Sequence, residues 1–341
     1  AFLQPGNYFE AGISVLDPNV SGKVRNGYTP NAALPASSAR LQNTSVGEMA
    51  GDYYFPSAAL KLQVTDNFSF GLIYDQPFGA EAEYSTGTQK TTALPGPLAP
   101  LGNQGAFHNG TEGTSVEVKS QSISMLFGYQ PTENFNFYAG PVYQTIEGDV
   151  QLRGLAYGGS ATFGGYNASI KETGDIGWLA GAAFQIPDIA LKASVTYRSE
   201  IEHSVNVKES FNSAGLFAAL NAAPSLDTDI TTPQSVNLDF QTGIMANTVA
   251  FANVRWVDWS SFSIQPYKFG LASKSAAIQA QTGKPEFDLV AYTDDQISAT
   301  VGVGRKLNDQ WAGNVSVGWD SGAGNPVTTL GPTEGYWNVG L

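Results

Sequence analysis

The sequence predicts an all-β protein: a transmembrane, antiparallel, up-and-down β-barrel. Three observations carry that expectation. Charged residues are 14% of the chain and aromatic residues 12%, whereas soluble domains carry nearer ~25% charge. No run of apolar residues is long enough for a membrane-spanning helix, so any lipid contact falls to alternate positions of strands. Stretches that alternate apolar and polar residues recur from one end of the chain to the other. The connections between them run short, long, short, as in a barrel with tight turns at one rim and long loops at the other. A sandwich or a propeller gives no reason for so strict a rhythm.

Taken in order, residues 8–16 form the first strand, and a polar stretch over 17–51 follows, with Asn26-Gly27, Pro30 and Pro35 as turn signals. Residues 53–64 alternate cleanly as the second strand, and the turn Thr65-Asp66-Asn67 leads into the third. In the third, Phe68, Phe70, Leu72 and Tyr74 alternate with Ser69, Gly71 and Asp75. The pattern then breaks at Pro77-Phe78-Gly79 and resumes through Ala80, Ala82 and Tyr84. Proline removes a ladder donor and glycine relaxes the backbone beside it. In a soluble sheet such a break is an edge or a bulge; in a barrel it is a hole in the wall, and Asp75, Gln76, Pro77, Phe78 and Gly79 would line it.

A loop over 85–113 precedes the fourth strand (115–130), the turn 131–134 and the fifth strand (135–152). After another glycine-rich loop come the sixth strand (176–186) and the turn at Pro187-Asp188. Residues 190–208 read as one strand about 60 Å long at ~3.3 Å per residue, projecting well beyond the membrane. Leu191, Val195, Tyr197 and Ile201 would face lipid on it, and Thr196, Arg198 and Glu200 the lumen. The loop 210–230 contains a short helical candidate at 214–223. Strands over 235–246 and 248–264, a long loop over 265–294, strands over 296–307 and 311–319, and a final start at 336–341 complete twelve candidates. The last stretch lacks the aromatic-ended closing strand usual in such barrels, so the sequence reads as truncated.

A net charge of −13 argues against nucleic acid as a partner. The absence of cysteine excludes disulfides and thiolate metal sites. No signal peptide is visible; it is either removed or lies upstream. An outer-membrane lipid hydrolase would need a serine beside a histidine base. His108 sits in a glycine-rich loop and His203 near a strand end, and both read as solvated. The acidic pairs Asp227/Asp229 and Asp294-Asp295 read as solvated loop charges, with weak calcium binding at the rim as the alternative. No cofactor is implied. Leu155, Tyr157, Phe163, Tyr166, Leu216, Phe217 and Leu220 make two loops unusually apolar. They either capture a hydrophobic ligand or pack the loops together. Arg153, Arg198, Lys208 and Arg255 are candidate partners for a ligand carboxylate, or pair lumenal acids such as Glu200 and Glu202.

Several stretches in order resemble one family. They are Tyr54-Phe55-Pro56-Ser57-Ala58, the Asp-Asn turn into Phe68, Pro77-Phe78-Gly79, Thr196-Tyr197-Arg198-Ser199-Glu200 and Val254-Arg255-Trp256-Val257-Asp258-Trp259-Ser260-Ser261-Phe262, then Asn308-Asp309-Gln310-Trp311 and Gly318-Trp319-Asp320. The chain is similar to the FadL-type outer-membrane transporters of long-chain fatty acids and other hydrophobic compounds. That resemblance implies a fourteen-stranded barrel, an N-terminal hatch and a kinked third strand that opens sideways to the membrane. The hatch and the last two strands are expected to lie outside this sequence, leaving residues 1–341 as a single barrel. It further implies a monomer in the bacterial outer membrane, among outer-membrane lipid and lipopolysaccharide, and no enzymatic activity. Hydrophobic molecules would enter passively by loop capture, bind in the lumen and leave sideways at the third strand. A general diffusion porin for small polar solutes is the alternative.

Overall fold

The computed structural model describes residues 1–28, 39–87, 90–94, 96–324, 328–332 and 334–341; Pro30 and Pro35 lie outside them. One antiparallel sheet of fourteen strands dominates. Its strands are β1 (Tyr8–Leu16), β2 (Tyr53–Gln63), β3 (Phe68–Asp75), β4 (Gly79–Glu83), β5 (Ser115–Tyr129), β6 (Phe135–Arg153), β7 (Gly165–Ile186), β8 (Leu191–Arg198), β9 (Lys208–Ser210), β10 (Ser235–Met245), β11 (Thr248–Val257), β12 (Gln296–Lys306), β13 (Ala312–Asp320) and β14 (Trp337–Gly340). Twelve pair successively with their sequence neighbours; β4 pairs off that path with β5, and β9 with β7. This is the up-and-down order that the short and long connections require.

The sheet curls. Arg198 at the end of β8 and Asp75 at the end of β3 form an ion pair at 3.0 Å, although β5, β6 and β7 lie between them in the sheet. Strands sit ~4.8 Å apart, so only a rolled wall brings these two side chains together across a lumen. The period-2 pattern assigns the faces. Phe9, Ile13, Val15, Val195, Leu238, Val301, Val315 and Val339 are exposed on the outside. Aromatic residues ring it at two levels: Phe68 and Tyr129 near the tight turns, 5.0 Å apart, and Trp178 and Tyr197 higher up, also 5.0 Å apart. An apolar band between aromatic girdles is the surface a membrane solvates.

The long strand expected over 190–208 is three pieces instead. β8 stops at Arg198, residues Ile201–Val205 pair with Thr228–Thr232 as a separate hairpin, and β9 follows. Ile201 is buried rather than lipid-facing. The chain leaves the wall after β8 and folds inward. The helical candidate at 214–223 is a single 3-10 turn, Ala218–Ala222. The loop after β11 carries two short helices, α1 (Tyr267–Ser273) and α2 (Ala276–Thr282). β7 begins eleven residues before the start expected for it, at Gly165 rather than at 176. Both histidines, expected in solvent, are fully buried. The long loops are extensive enough to form a core of their own, in which Leu41, Tyr84, Leu155, Phe163, Phe211, Phe217 and Phe269 meet.

Residues on the inner side of β6 order the interior. From the tight-turn rim upward they are Asn136, Tyr138, Val142, Gln144, Ile146 and Leu152. Asn136 borders a polar chamber of about 470 Å³ that also holds Lys61 and Lys192. Tyr138 and Val142 belong to an apolar layer with Phe2, Leu126, Leu179, Ala183 and Ile201. Phe2 reaches this layer because residues 1–7 turn into the lumen. The Leu3 carbonyl accepts from Lys192 Nζ at 2.9 Å and the Gln4 carbonyl from Lys61 Nζ at 2.6 Å. Gly71 and Gly128 make the socket for its ring: a Cβ on either would come within 2.8 Å of Phe2. Gln144 is polar and fixed, accepting from Thr232 Oγ1 at 2.7 Å and lying 3.1 Å from His203 Nε2. Ile146 opens onto an apolar pocket, and Leu152 enters the loop core.

Candidate functional site: a window in the third strand and the pocket behind it

The ladder between β2 and β3 ends at Ala58–Tyr74. On the other side β3 keeps its partner, ending at Asp75–Ser122, and β4 resumes with Gly79 opposite Lys119. The third strand therefore carries one more residue than β5 across the break, a bulge that bends it. Its edge towards β2 returns only at the bridge between Ala50 and Ala82 and where Glu83 N–H donates to the Met49 carbonyl at 2.8 Å. Between these limits the wall is open. Tyr53 reaches across with its hydroxyl to the Glu81 carbonyl at 3.1 Å. Gln76, Phe78, Gly79, Ala80, Glu81, Phe55 and Lys119 surround a cavity of about 320 Å³ at the gap. Unpaired backbone in hydrocarbon costs several kcal/mol per group, and these polar groups sit where that cost would fall. Lys119 is in turn ion-paired with Glu117.

Inward of the break lies the apolar pocket of about 140 Å³, lined by Phe78, Val118, Ile146, Ile230, Trp259, Phe262 and Leu330 among others. Phe78, Gly79, Ala80, Val118 and Ser120 belong to both cavities. Among the described residues, no lysine, arginine or histidine lines the inner pocket, and Glu147 is the one carboxylate there. A more polar cavity of about 290 Å³ adjoins it on the side of Gly322, Thr328 and Glu334.

The other residues singled out from sequence fall into three groups. Phe163 and Phe217 have their rings 5.3 Å apart in the loop core, and Leu220 packs against that core. Leu155 is buried in the same core, Tyr157 packs on it, and Leu216 is exposed. These residues pack loop against loop, and neither cavity at the break touches them. Arg153 is buried and its donors are taken: Nε by Glu112 at 2.7 Å, Nη1 by the Leu152 and Tyr166 carbonyls, and Nη2 by Asn167. Lys208 is exposed on β9. Arg198 donates Nη2 to Asp75, while its Nη1, Asp75 Oδ1 and Arg255 Nε are buried without a partner. Asp75 thus turns into the lumen rather than lining the window. Sequence reasoning missed Ser120, Trp259 and Ile230. The Trp256-Val257-Asp258-Trp259 cluster marked the second, but nothing local marked the other two.

An apolar-banded barrel, an apolar layer inside it and a pocket beside a gap in the wall are features of an outer-membrane transport protein. The chain belongs to the family described as outer membrane protein transport protein (OMPP1/FadL/TodX), whose model matches residues 102–314. It is therefore a protein of the bacterial outer membrane. Its fold is similar to that of a Pseudomonas aeruginosa FadL homologue (TM-score 0.57, 17% identity, 97% of this chain and 74% of that one). It is also similar to the Pseudomonas putida toluene transporter TodX (0.57, 14%, 99% and 80%) and the Ralstonia pickettii toluene transporter TbuX (0.52, 13%, 93% and 77%). None of the curated proteins matches the sequence.

Proposed function

We propose that the protein carries hydrophobic molecules inward across the outer membrane, holding them in the apolar pocket and releasing them sideways through the break in the third strand. The observation that carries this is the shared wall: Phe78, Gly79, Ala80 and Val118 face the pocket on one side and the window on the other. A molecule moving between them never meets bulk water. Burial at about 25 cal/mol per Å² of apolar surface supplies the affinity, and movement runs passively down a gradient. The pocket's lining favours an uncharged cargo. Its volume is that of a cavity able to hold a single benzene-sized ring, which supports small hydrocarbons over a long-chain fatty acid. Filling the pocket with Ile230→Trp should abolish uptake of radiolabelled toluene by whole cells while the barrel still folds and keeps its heat-modifiable mobility. Normal toluene uptake by that variant would show that the cargo travels elsewhere.

One observation favours a second reading, transport of fatty carboxylates. Arg198 Nη1 and Arg255 Nε are buried donors without partners, close enough for the two guanidiniums to repel, and a carboxylate would satisfy both. Oleate uptake lost in an Arg198→Gln, Arg255→Gln double variant that still carries toluene would establish it.

A further inference from the structure

One side chain satisfies the backbone at the break in the third strand. Phe78 N–H donates to Ser120 Oγ at 2.9 Å, and Ser120 Oγ donates to the Phe78 carbonyl at 2.6 Å. The same carbonyl also accepts from Ser120 N–H at 3.1 Å. A backbone unit that has lost its neighbour on the β2 side is thus satisfied from β5 alone, and its position is fixed. The Phe78 ring is not held in the same way. It stands half-buried between pocket and window, and it meets the Trp259 ring edge-on at 5.3 Å and 74°. Trp259 is itself anchored: its indole N–H donates to Gln296 Oε1 at 2.8 Å, and its ring packs against Phe262 and Tyr292 at 5.1 Å each. A rigid hinge, a rigid stop and a ring with two rotatable bonds between them make a door. Rotamer changes of such a side chain are fast beside the turnover of a transporter.

We propose that Phe78 is the specificity-determining gate of the lateral path: hinged at Ser120 and resting on Trp259, its ring sets the size of molecule that passes from the apolar pocket to the membrane. This rests on the lateral-exit reading above. A packing role alone would make Phe78 matter equally for every cargo, whereas a gate makes its effect grow with cargo width.

The test is initial uptake of radiolabelled toluene and the wider single-ring 1,3,5-trimethylbenzene by whole cells, compared as a ratio, for wild type, Phe78→Ala, Phe78→Leu, Trp259→Leu and a straightened strand (Pro77→Thr with Gly79→Val). Phe78→Ala is expected to raise the trimethylbenzene-to-toluene ratio several-fold. Trp259→Leu should raise it in the same direction, and Phe78→Leu, which serves if the alanine variant fails to fold, by less. An unchanged ratio in folded Phe78 variants, with toluene uptake lost on straightening, would overturn the gate and leave lateral exit standing. Toluene uptake unaffected by straightening would remove lateral exit, and the gate with it.

Discussion

Asp75 is the last regular residue before the break, and it forms an ion pair with Arg198 at 3.0 Å. The pair ties the end of β3 to the end of β8. Replacing Arg198 by Met leaves a partly buried carboxylate alone, which should cost about 1–3 kcal/mol; adding Asp75→Asn should restore part of it. Denaturant or thermal unfolding of the three variants checks this, and equal losses for single and double variants would mean the pair is not coupled. Phe2 is the other residue that defines the lumen. A side chain at Gly71 would meet its ring, so Gly71→Val should expel residues 1–7 from the barrel, losing roughly 1.5–3 kcal/mol of aromatic burial. Faster protease cleavage near the N-terminus, with the sheet intact, is the expected readout.

At the scale of elements, alternation made most of the wall readable, including the break, because proline and glycine have few other uses in the middle of a strand. The same alternation misled after Arg198. Ile201, His203, Val205 and Val207 continue the period of Leu191, Ala193, Val195 and Tyr197. Lipid and a protein core ask for the same apolar side chains, so periodicity cannot tell an outward-facing strand from one folded into the lumen. Loop residues posed the complementary problem: their apolar side chains were visible, but nothing local showed that the loops bury His108 completely. That burial pushes the His108 imidazole below its ordinary value of 6.5, because the charged form is the one that burial penalises. The neutral ring's contribution is therefore fully present above about pH 6.5 and lost as pH falls through the lowered value. Loop proteolysis should quicken on acidification, and His108→Gln should flatten that dependence. Phe217→Ser should also loosen the loops, through lost packing against Phe163 and Phe211, so reduced uptake in that variant without increased proteolysis would instead point to direct capture.

For the whole molecule, the apolar layer around Phe2 lies between the lysine-lined chamber and the apolar pocket. Purified protein in a planar bilayer should accordingly show little ion conductance, where a general diffusion porin would conduct steadily. The central claim concerns the direction in which cargo leaves. Pro77→Thr with Gly79→Val restores a ladder donor and a strand-forming side chain at the break, and a Cβ on Gly79 meets only the Val118 carbonyl at an ordinary 3.5 Å. The straightened strand should pair with β2 and close the window, leaving the barrel at least as stable. The most direct measurement is toluene uptake by cells carrying this double variant at wild-type levels in the outer membrane. A sharp fall in uptake is expected; transport at the wild-type rate through a strand shown to be paired over residues 76–80 would contradict lateral exit and point to a route through the tight-turn end.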